Sequence, residues 1–488
     1  MTKDLYDKLM VFGNDQEPFL THNFMRTTDL DDGTATVTLP MHTESLNRWG
    51  GAHGGILFSL CDVAMGMAIM TLRQEMVVTV NATIDYLSAA AAGSTLTTVG
   101  KVDRLGGKLA FCSAEMTDET GKVIVRAHCV MCFTGRALRR WCIALAVFFA
   151  AYFALRTSRA AMNWLWYGAV LPAEQWLGRL CGRLTLSVGE VLILTAVFCG
   201  ILWLANVPRR IIAARGRRWG MALRLTLTAL CAVLTVYAGF CLTWGIGYNT
   251  DSFQEKSGIH ARPSTAETLA EVTAYFAGNL AACADDVPRD ESGVCTLDRQ
   301  AVLNRSASAL DVLCGEFPFL RAETGGAKGF ACSRALSALR FTGFYFPFTG
   351  EPNVNMDSPA AFLPATVCHE LAHQRGITAE EACNFIGILA AVRSEDTGYR
   401  YSGWLTGFGY LSNALYSADR EAWQTIRDAL PDTVVADLRA DNAYWAQFRG
   451  VVSKVSDTVY DSFLKSNGDT DGSKSYGVVT DLLVAYFG

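Results

Sequence analysis

The sequence predicts a multidomain chain: a small α+β domain, then three transmembrane helices, then a mainly α-helical domain around a metal motif. Three observations carry that prediction. One apolar helical pattern followed by alternating β-like runs fills residues 33–133. Three uncharged apolar runs follow between Trp141 and Thr250. Residues 369–373 then read His-Glu-Leu-Ala-His. At 488 residues the chain exceeds one ordinary domain and suits about three. Hydrophobic residues make up 51% of it and concentrate between Trp141 and Gly247, which points to a membrane rather than to one oversized core. A net charge of −5 gives no basic footprint, so no nucleic-acid partner is expected.

Met1–Phe19 carries Lys3, Asp4, Asp7, Lys8, Asp15 and Glu17 and has no apolar signal core. The domain ahead of the first membrane helix is therefore expected to stay in the cytoplasm. Residues 33–41 alternate around Thr34, Thr36 and Thr38 and predict a strand. Asn47–Gly55 is a glycine-rich loop, and Ile56–Leu72 is an apolar helix rich in Ala and Met. Val77–Leu87, Thr95–Val102, Lys108–Thr117 and Val123–Phe133 predict four further strands, with a hairpin turn at Asp118–Lys122. Asp62 is a carboxylate in an otherwise apolar helix and needs a reason to be there: a structural ion pair or work at a site. Gly54 and Gly55 would bring backbone N–H groups at a helix N-terminus close to a developing oxyanion.

The run Asn47-Arg-Trp-Gly-Gly-Ala-His53-Gly54-Gly55-Ile-Leu-Phe-Ser-Leu-Cys-Asp62 resembles the signature of hotdog-fold acyl-CoA thioesterases of the phenylacetate-pathway type. The resemblance covers residues 20–135, roughly. Thr83-Ile-Asp-Tyr-Leu87 is similar to the central strand of that family, and Gly106-Gly-Lys108 to its turn near the CoA. It implies one long helix wrapped by a curved sheet and an active site shared by two subunits, hence a homodimer or higher oligomer. It further implies Asp62 as nucleophile or general base, Asn47 orienting the carbonyl or water, and His53 shaping the loop. Arg104 and Lys108 become candidates for the CoA phosphates. No cofactor is implied for this domain, CoA being part of the acyl-CoA substrate. The alternative is an acyl-CoA sensor that binds without turnover.

The apolar runs are Trp141–Leu155, Val191–Pro208 and Leu225–Thr250, giving spans at about 141–155, 187–207 and 225–247. The first is short, and Arg140 and Arg156 would snorkel at its ends. Arg209, Arg210, Arg215, Arg217 and Arg218 make the loop after the second run basic, and Arg136, Arg139 and Arg140 precede the first. Both places are expected inside by the positive-inside rule, which puts residues 251–488 outside. Trp164, Leu165, Trp166, Trp176, Leu177 and Leu180 suggest an interfacial helix between the first two spans. The expected domains are 1–136, 137–250 and 251–488. Six of the 15 cysteines lie in the last of these, with Cys283–Cys295 and Cys314–Cys332 as plausible disulfides.

The C-terminal part is mainly helical in pattern, with a capping box expected at Ser264 and Glu267. His369 and His373 lie four apart on one helix face and can share a Zn2+ ion, with Glu370 placed to take a proton from bound water. A third ligand is expected downstream, at Glu380 in preference to Glu381, with Asn384 supporting a histidine, as in gluzincins. The aromatic stretch Phe341–Asn355 reads as a cleft wall or as a core hairpin. The run Cys368-His-Glu-Leu-Ala-His-Gln-Arg-Gly-Ile, with Glu-Ala-Cys-Asn-Phe after it and Gly-Glu-Pro-Asn-Val-Asn before it, is similar to a bacterial family of membrane-anchored HExxH proteins. That resemblance spans about 137–488 and implies a bacterial cell-membrane location; the HExxH motif makes a peptide or protein substrate an expectation. An acidic residue is expected where Ala382 stands. The combined expectation is a cytoplasmic acyl-CoA thioesterase joined to an extracytoplasmic zinc metallopeptidase. The alternative leaves only one half catalytic, the zinc domain then being a pseudoenzyme or binding domain.

Overall fold

A computed structural model describes residues 1–133, 136–213, 218–466 and 476–488. They form two compact units, Met1–Ala144 and Leu145–Gly488, so the apolar helices after Ala144 and the C-terminal part belong to one body. Thr134, Gly135, Arg215 and Arg217 lie outside the described residues.

In the first unit a long helix, Gly54–Leu72, lies on a six-stranded antiparallel sheet. The strands are β1 (Arg26–Asp31), β2 (Thr34–Pro40), β3 (Val77–Tyr86), β4 (Thr95–Leu105), β5 (Leu109–Thr117) and β6 (Val123–Phe133), in the order β1-β2-β4-β5-β6-β3. Leu60, Met65 and Ile69 of the helix are buried against Val37, Leu39, Leu96 and Met116 of the sheet. Gly100 in β4 permits this approach: a Cβ there would fall 2.4 Å from the Ala64 backbone. The hairpin turn closes where the sequence places it, Asp118 N–H donating to Lys122 O at 3.1 Å.

Two elements were not foreseen. Lys3–Val11 is helical, capped by Thr2, and β1 precedes the first expected strand. A bulge between Thr27 and Asp29 breaks the alternation of β1, so it carries no period-two signal. One expectation is corrected. Thr83–Leu87 was matched to a central strand, but β3 is an edge strand hydrogen-bonded only to β6, with Val78 and Val80 exposed.

Four helices among the described residues are long and apolar enough to cross a membrane. Gly54–Leu72 is one of them, and the sheet accounts for its apolarity. The others are Arg136–Leu155, Val188–Ala213 and Arg218–Phe240, which expose side chains such as Val147, Phe198, Leu204 and Val233. Between the first two of these, the segment expected to be interfacial forms helices Arg159–Leu165 and Leu171–Cys181. One side of it exposes Trp164 and Trp176. The other buries Trp166, Leu171 and Glu174. Gly178 there packs so closely that a Cβ would meet Gly350 O at 2.5 Å.

The C-terminal part is mostly helical, with a small sheet ordered β7-β9-β8: β7 (Lys328–Phe330), β8 (Gly343–Phe346) and β9 (Glu351–Asn355). The apolar helix Val188–Ala213 is fastened to this sheet. Glu351 accepts from Val188 N (3.1 Å), Gly189 N (2.7 Å) and Lys328 Nζ (2.6 Å), a buried pair at a helix N-terminus. Glu190 in turn accepts from Ala331 N and Cys332 N, each at 2.8 Å. The helix Ala266–Cys283 is capped by Thr265, not Ser264, and the capping box lies earlier, at Ser252 and Glu255. None of the 15 cysteines is in a disulfide. The suggested pair Cys314–Cys332 joins a buried thiol to an exposed one. Cys283 donates to Leu280 O within its own helix.

Candidate functional site

In the first unit the loop 47–53 leads into the long helix and is fixed by its own side chains. The Asn47 amide donates to Ala52 O (3.1 Å) and accepts from Trp49 N (2.9 Å) and Gly51 N (3.3 Å). Asn47 thus fastens the loop through one amide N–H and its Oδ1. His53 is the helix N-cap and its Nδ1 accepts from Gly55 N at 3.0 Å. Tyr86 on β3 donates to Gly54 O at 2.9 Å, and a Cβ on Gly54 would meet that hydroxyl at 3.2 Å.

Asp62 is half-buried, on the side of the helix that faces β3. Its Oδ1 accepts a 2.6 Å hydrogen bond from Thr79 Oγ1. The neighbouring Cys61 thiol is pushed up to about 12 by burial and by the Asp62 charge, so it stays protonated and is no rival nucleophile. Arg104 and Lys108 are exposed, on β4 and within the turn that Gly106 closes by donating to Leu109 O at 2.8 Å. Thr79 and Tyr86 are site neighbours that the sequence did not signal, because Thr and Tyr are ordinary strand residues.

The second unit gathers the metal-type residues. His369 and His373 lie one turn apart on the helix Leu363–Gln374, with ring centroids 4.9 Å apart. That helix ends at Gly376, whose φ of +91° turns the chain back; a Cβ there would also strike Leu171 at 2.6 Å. The return helix, Glu380–Val392, can lie against the first because Gly387 meets the His369 backbone; a Cβ would be 2.9 Å from His369 N. Glu380 opens the return helix, and its two oxygens stand 3.3 Å from His369 Nε2 and 3.6 Å from His373 Nε2. The outer ring nitrogens are occupied: His369 Nδ1 pairs with Asn384 Oδ1 at 2.9 Å, and His373 Nδ1 with Ile377 O at 2.8 Å. Both partners are oxygens that accept, so each Nδ1 carries its proton and each Nε2 points at the shared space. His369, Glu370 and His373 also offer ligand-type atoms within 4.8 Å of one another. Ala382, where an acidic residue was expected, is buried in the hydrophobic core.

Burial raises the Glu380 carboxyl, but the His373 and His369 imidazoles outweigh it and hold the group well below the usual range. Burial opposes the charged form of His373, yet Cys383 and Glu380 keep it well above its ordinary value. Glu370 is 3% exposed and has one oxygen, Oε2, with no hydrogen-bond partner. Burial pushes its carboxyl up to about 7, against the pull of the two imidazoles. A carboxyl poised there exchanges protons readily near neutral pH.

These residues line a cavity of about 840 Å³. Phe341–Tyr345 form part of its wall, whereas β9 is wholly buried; the aromatic stretch is both wall and core. Three more aromatic residues approach the metal-type group. Trp244 stands 5.6 Å from His373 between ring centroids, Tyr248 accepts from Trp244 Nε1 at 3.3 Å, and Tyr460 lies near Glu380. None was signalled: Trp244 and Tyr248 read as the end of an apolar run, and Tyr460 lies 80 residues beyond Glu380.

A profile of the family "Protein of unknown function (DUF3810)" matches residues 171–484, and one of the Thioesterase superfamily matches residues 50–125. The chain belongs to the DUF3810 family, and its N-terminal unit is a hotdog domain of the Thioesterase superfamily. Acyl-coenzyme A thioesterase PaaI of Escherichia coli is 33% identical over 95 residues, covering 20% of this chain and 67% of the relative. Acyl-coenzyme A thioesterase 13 of Homo sapiens is 32% identical over 98 residues, covering 20% and 70%. The chain spans 61–71% of the length of the curated relatives it matches. The solved structure of the E. coli PaaI protein is 26% identical and covers 25% of this chain and 87% of that one, with a TM-score of 0.24. All these relatives and this structure match a quarter of the chain or less.

Proposed function

We propose that this is a bifunctional membrane protein: an acyl-CoA thioester hydrolase joined to a zinc-dependent peptidase. The hydrolase reading rests on Asp62, held by Thr79 two turns below a glycine-rich helix N-terminus, in a domain whose relatives are named acyl-coenzyme A thioesterases. Asp62 takes a proton from water as its oxygen attacks the thioester carbonyl. The Gly54 backbone N–H at the helix N-terminus holds the oxyanion, the Gly55 N–H being taken by His53 Nδ1; the C–S bond breaks, and CoA leaves as the thiol with a carboxylic acid formed. The open edge of β3 lies beside Asp62, which suits a site completed by a second copy. Arg104 and Lys108 are exposed and available to CoA phosphates. The test is free CoA release by the full chain from a panel of aryl and fatty acyl-CoA thioesters. Asp62→Asn is expected to abolish it; turnover unchanged by that substitution rules out the role of Asp62. Binding without turnover supports the sensor alternative.

The peptidase reading rests on one observation: two Nε2 atoms and the Glu380 carboxylate facing one another, with both Nδ1 atoms satisfied from behind. This donor set fits Zn2+, with His369, His373 and Glu380 as ligands. Bound zinc would supply an activated water, and the Glu370 carboxylate would accept a proton and pass it to the leaving amine. Glu370→Gln is the test. Zinc retained with peptide cleavage lost is expected; cleavage at full rate disproves the role, and zinc binding without any cleavage in the parent favours a zinc-stabilised binding domain. We read Arg136–Leu155, Val188–Ala213 and Arg218–Phe240 as the three membrane spans. Arginines at 139, 140, 209, 210 and 218 would put the hotdog domain in the cytoplasm and the HExxH part outside.

A further inference from the structure

The helix Val451–Ser466 forms part of the wall around His369 and His373, and its amphipathy is reversed. Ser456, Asp457 and Tyr460 line the cavity, whereas Val452, Val455 and Val459 are 57–63% exposed. At about 100° per residue those valines share one stripe, turned away from Asp457 and Tyr460. No aliphatic side chain among residues 452–462 is buried. Helices in proteins draw most of their stability from a buried apolar face, so lifting this one exposes little that water rejects. The helix Leu363–Gln374, which carries the histidines, is the opposite case, with Leu363, Val367 and Leu371 buried.

Val451–Ser466 meets the body along a seam of three consecutive residues. Ser456 Oγ donates to Leu339 O at 3.0 Å, Asp457 pairs with Arg340 at 3.4 Å, and the Tyr460 ring stands edge-on to Phe341 with centroids 5.4 Å apart. Both side chains of the ion pair are half-exposed, where such a pair shifts an equilibrium by about fivefold at most. Arg340 has a φ of +63°. It ends the helix Ser333–Ala338 with Arg340 N donating to Ser337 O and Phe341 N to Leu336 O, a turn whose left-handed position usually falls to glycine. An arginine there accepts backbone strain and supplies the guanidinium that reaches Asp457. Strain of that kind collects at clamps and switches.

Glu370 and His373 are 3% and 6% exposed, and Tyr460 lies near Glu380. Water can reach groups so buried, but a polypeptide needs the wall to move. We propose that the helix Val451–Ser466 is a lid. It lifts from the seam at Leu339–Phe341 to admit a polypeptide and closes over it, bringing Tyr460 back beside Glu380. Lids are drawn from the elements of a fold that open at low cost, and this helix is one by its packing. The opening rests on that packing alone; the polypeptide it admits rests on the peptidase reading above.

The experiment uses the full chain in phospholipid nanodiscs. Hydrogen exchange is followed by mass spectrometry at residues 452–462, with the helix Leu363–Gln374 as internal reference. The lid amides are expected to exchange at least about 100-fold faster than the reference. Asp457→Lys sets two cations against each other at the seam and should speed the lid amides about fivefold further, leaving the reference unchanged. Equal protection of the two helices, or no response to Asp457→Lys, overturns the lid. A second arm holds it shut: Arg340→Cys with Asp457→Cys, joined by a short bismaleimide, the parent chain receiving the same reagent as control for its native thiols. The link is expected to restore protection at 452–462. In the zinc-loaded protein it should also abolish cleavage of casein, an unfolded polypeptide, with Glu370→Gln as the blank. Cleavage unchanged by a complete link overturns the lid and leaves the peptidase reading standing. Fast exchange at 452–462 with no Glu370-dependent cleavage by the parent overturns the peptidase reading and the polypeptide as guest, and upholds the opening.

Discussion

Gly343 offers a way to separate the proton acceptor from the metal ligands. It sits in β8, and a Cβ added there would lie 2.6 Å from Glu370 Oε1, 2.9 Å from Glu370 Cγ and 2.9 Å from Asn353 O. Real Cβ atoms do not approach so closely, so either the strand or the carboxylate must move. The strand is hemmed in, because Gly343 pairs with Val354 and the Asn353 carbonyl stands in the way. Overpacking of this kind costs about 1–3 kcal/mol. The freer partner is Glu370, whose Oε2 has nothing to anchor it. A reacting group displaced by about 1 Å loses roughly 100-fold in rate. None of the nearest atoms belongs to His369, His373 or Glu380, so the ligand set is left in place. Gly343→Ala in the purified full chain should therefore keep zinc near its parental stoichiometry and lower peptide cleavage by about 100-fold, with Tm reduced by a few degrees. Zinc content, cleavage of a quenched peptide and thermal unfolding read the three effects. Wild-type rate and stability would refute the placing of Glu370 against β8, and loss of zinc would refute the separation of acceptor from ligands.

Four further outcomes follow from the same geometry. Thr79→Val removes the 2.6 Å hydrogen bond to Asp62; a bond to a charged group contributes about 1.5–3 kcal/mol, so CoA release should fall by roughly 10- to 150-fold, and an unchanged rate would make Thr79 a bystander. Asn384→Ala frees His369 Nδ1 and should weaken zinc binding about 10- to 100-fold in a competition titration, whereas equal affinity would mean the ring needs no support. Burial pushes the Asp441 carboxyl up to about 6, so the folded state holds that proton more tightly than the unfolded chain. Its stabilising contribution is full below pH ~4 and is lost as pH rises through about 6, on the order of 3 kcal/mol; Asp441→Asn should flatten Tm against pH in that window, and superimposable curves would refute it. Glu351→Ala strands the buried Lys328 ammonium and two N–H groups at a helix start, which should cost about 3–5 kcal/mol, and a variant as resistant to heat as the parent would contradict that burial.

Local chemistry explains which parts of this architecture were legible. Alternation found β2, β4, β5 and β6 because each has one face on the helix and one outside. It missed β1, where a bulge shifts the phase. The HExxH helix was legible because both imidazoles must share a face, a constraint written within five residues. Glu380 and Asn384 were within reach for the same reason: a second helix starting four residues after Gly376 can only return past the first. Spacing says nothing of depth, in which Cys314 and Cys332 differ, or of the nearer partner, which for the Cys283 thiol is Leu280 O.

The boundary drawn near Thr250 is where sequence reasoning ran out for a more general reason. Composition changes there, from apolar to mixed, and composition marks solvent rather than packing. The packing runs across it. Lys328, Glu351 and Gln374 find partners at Cys181, Gly189 and Gln175, more than 140 residues away, through single hydrogen bonds that leave no periodic trace. Trp244, counted as part of an apolar run, stands beside the ring of His373. The HExxH part and the apolar helices after Ala144 therefore pack as one body. One wall of its cavity is the continuation of the helix Arg218–Phe240, and the sheet that forms an adjoining wall is held at the first turn of Val188–Ala213. A cavity assembled this way has its chemistry set by residues near the histidines in sequence and its access set by residues far from them, so the two should respond separately to substitution.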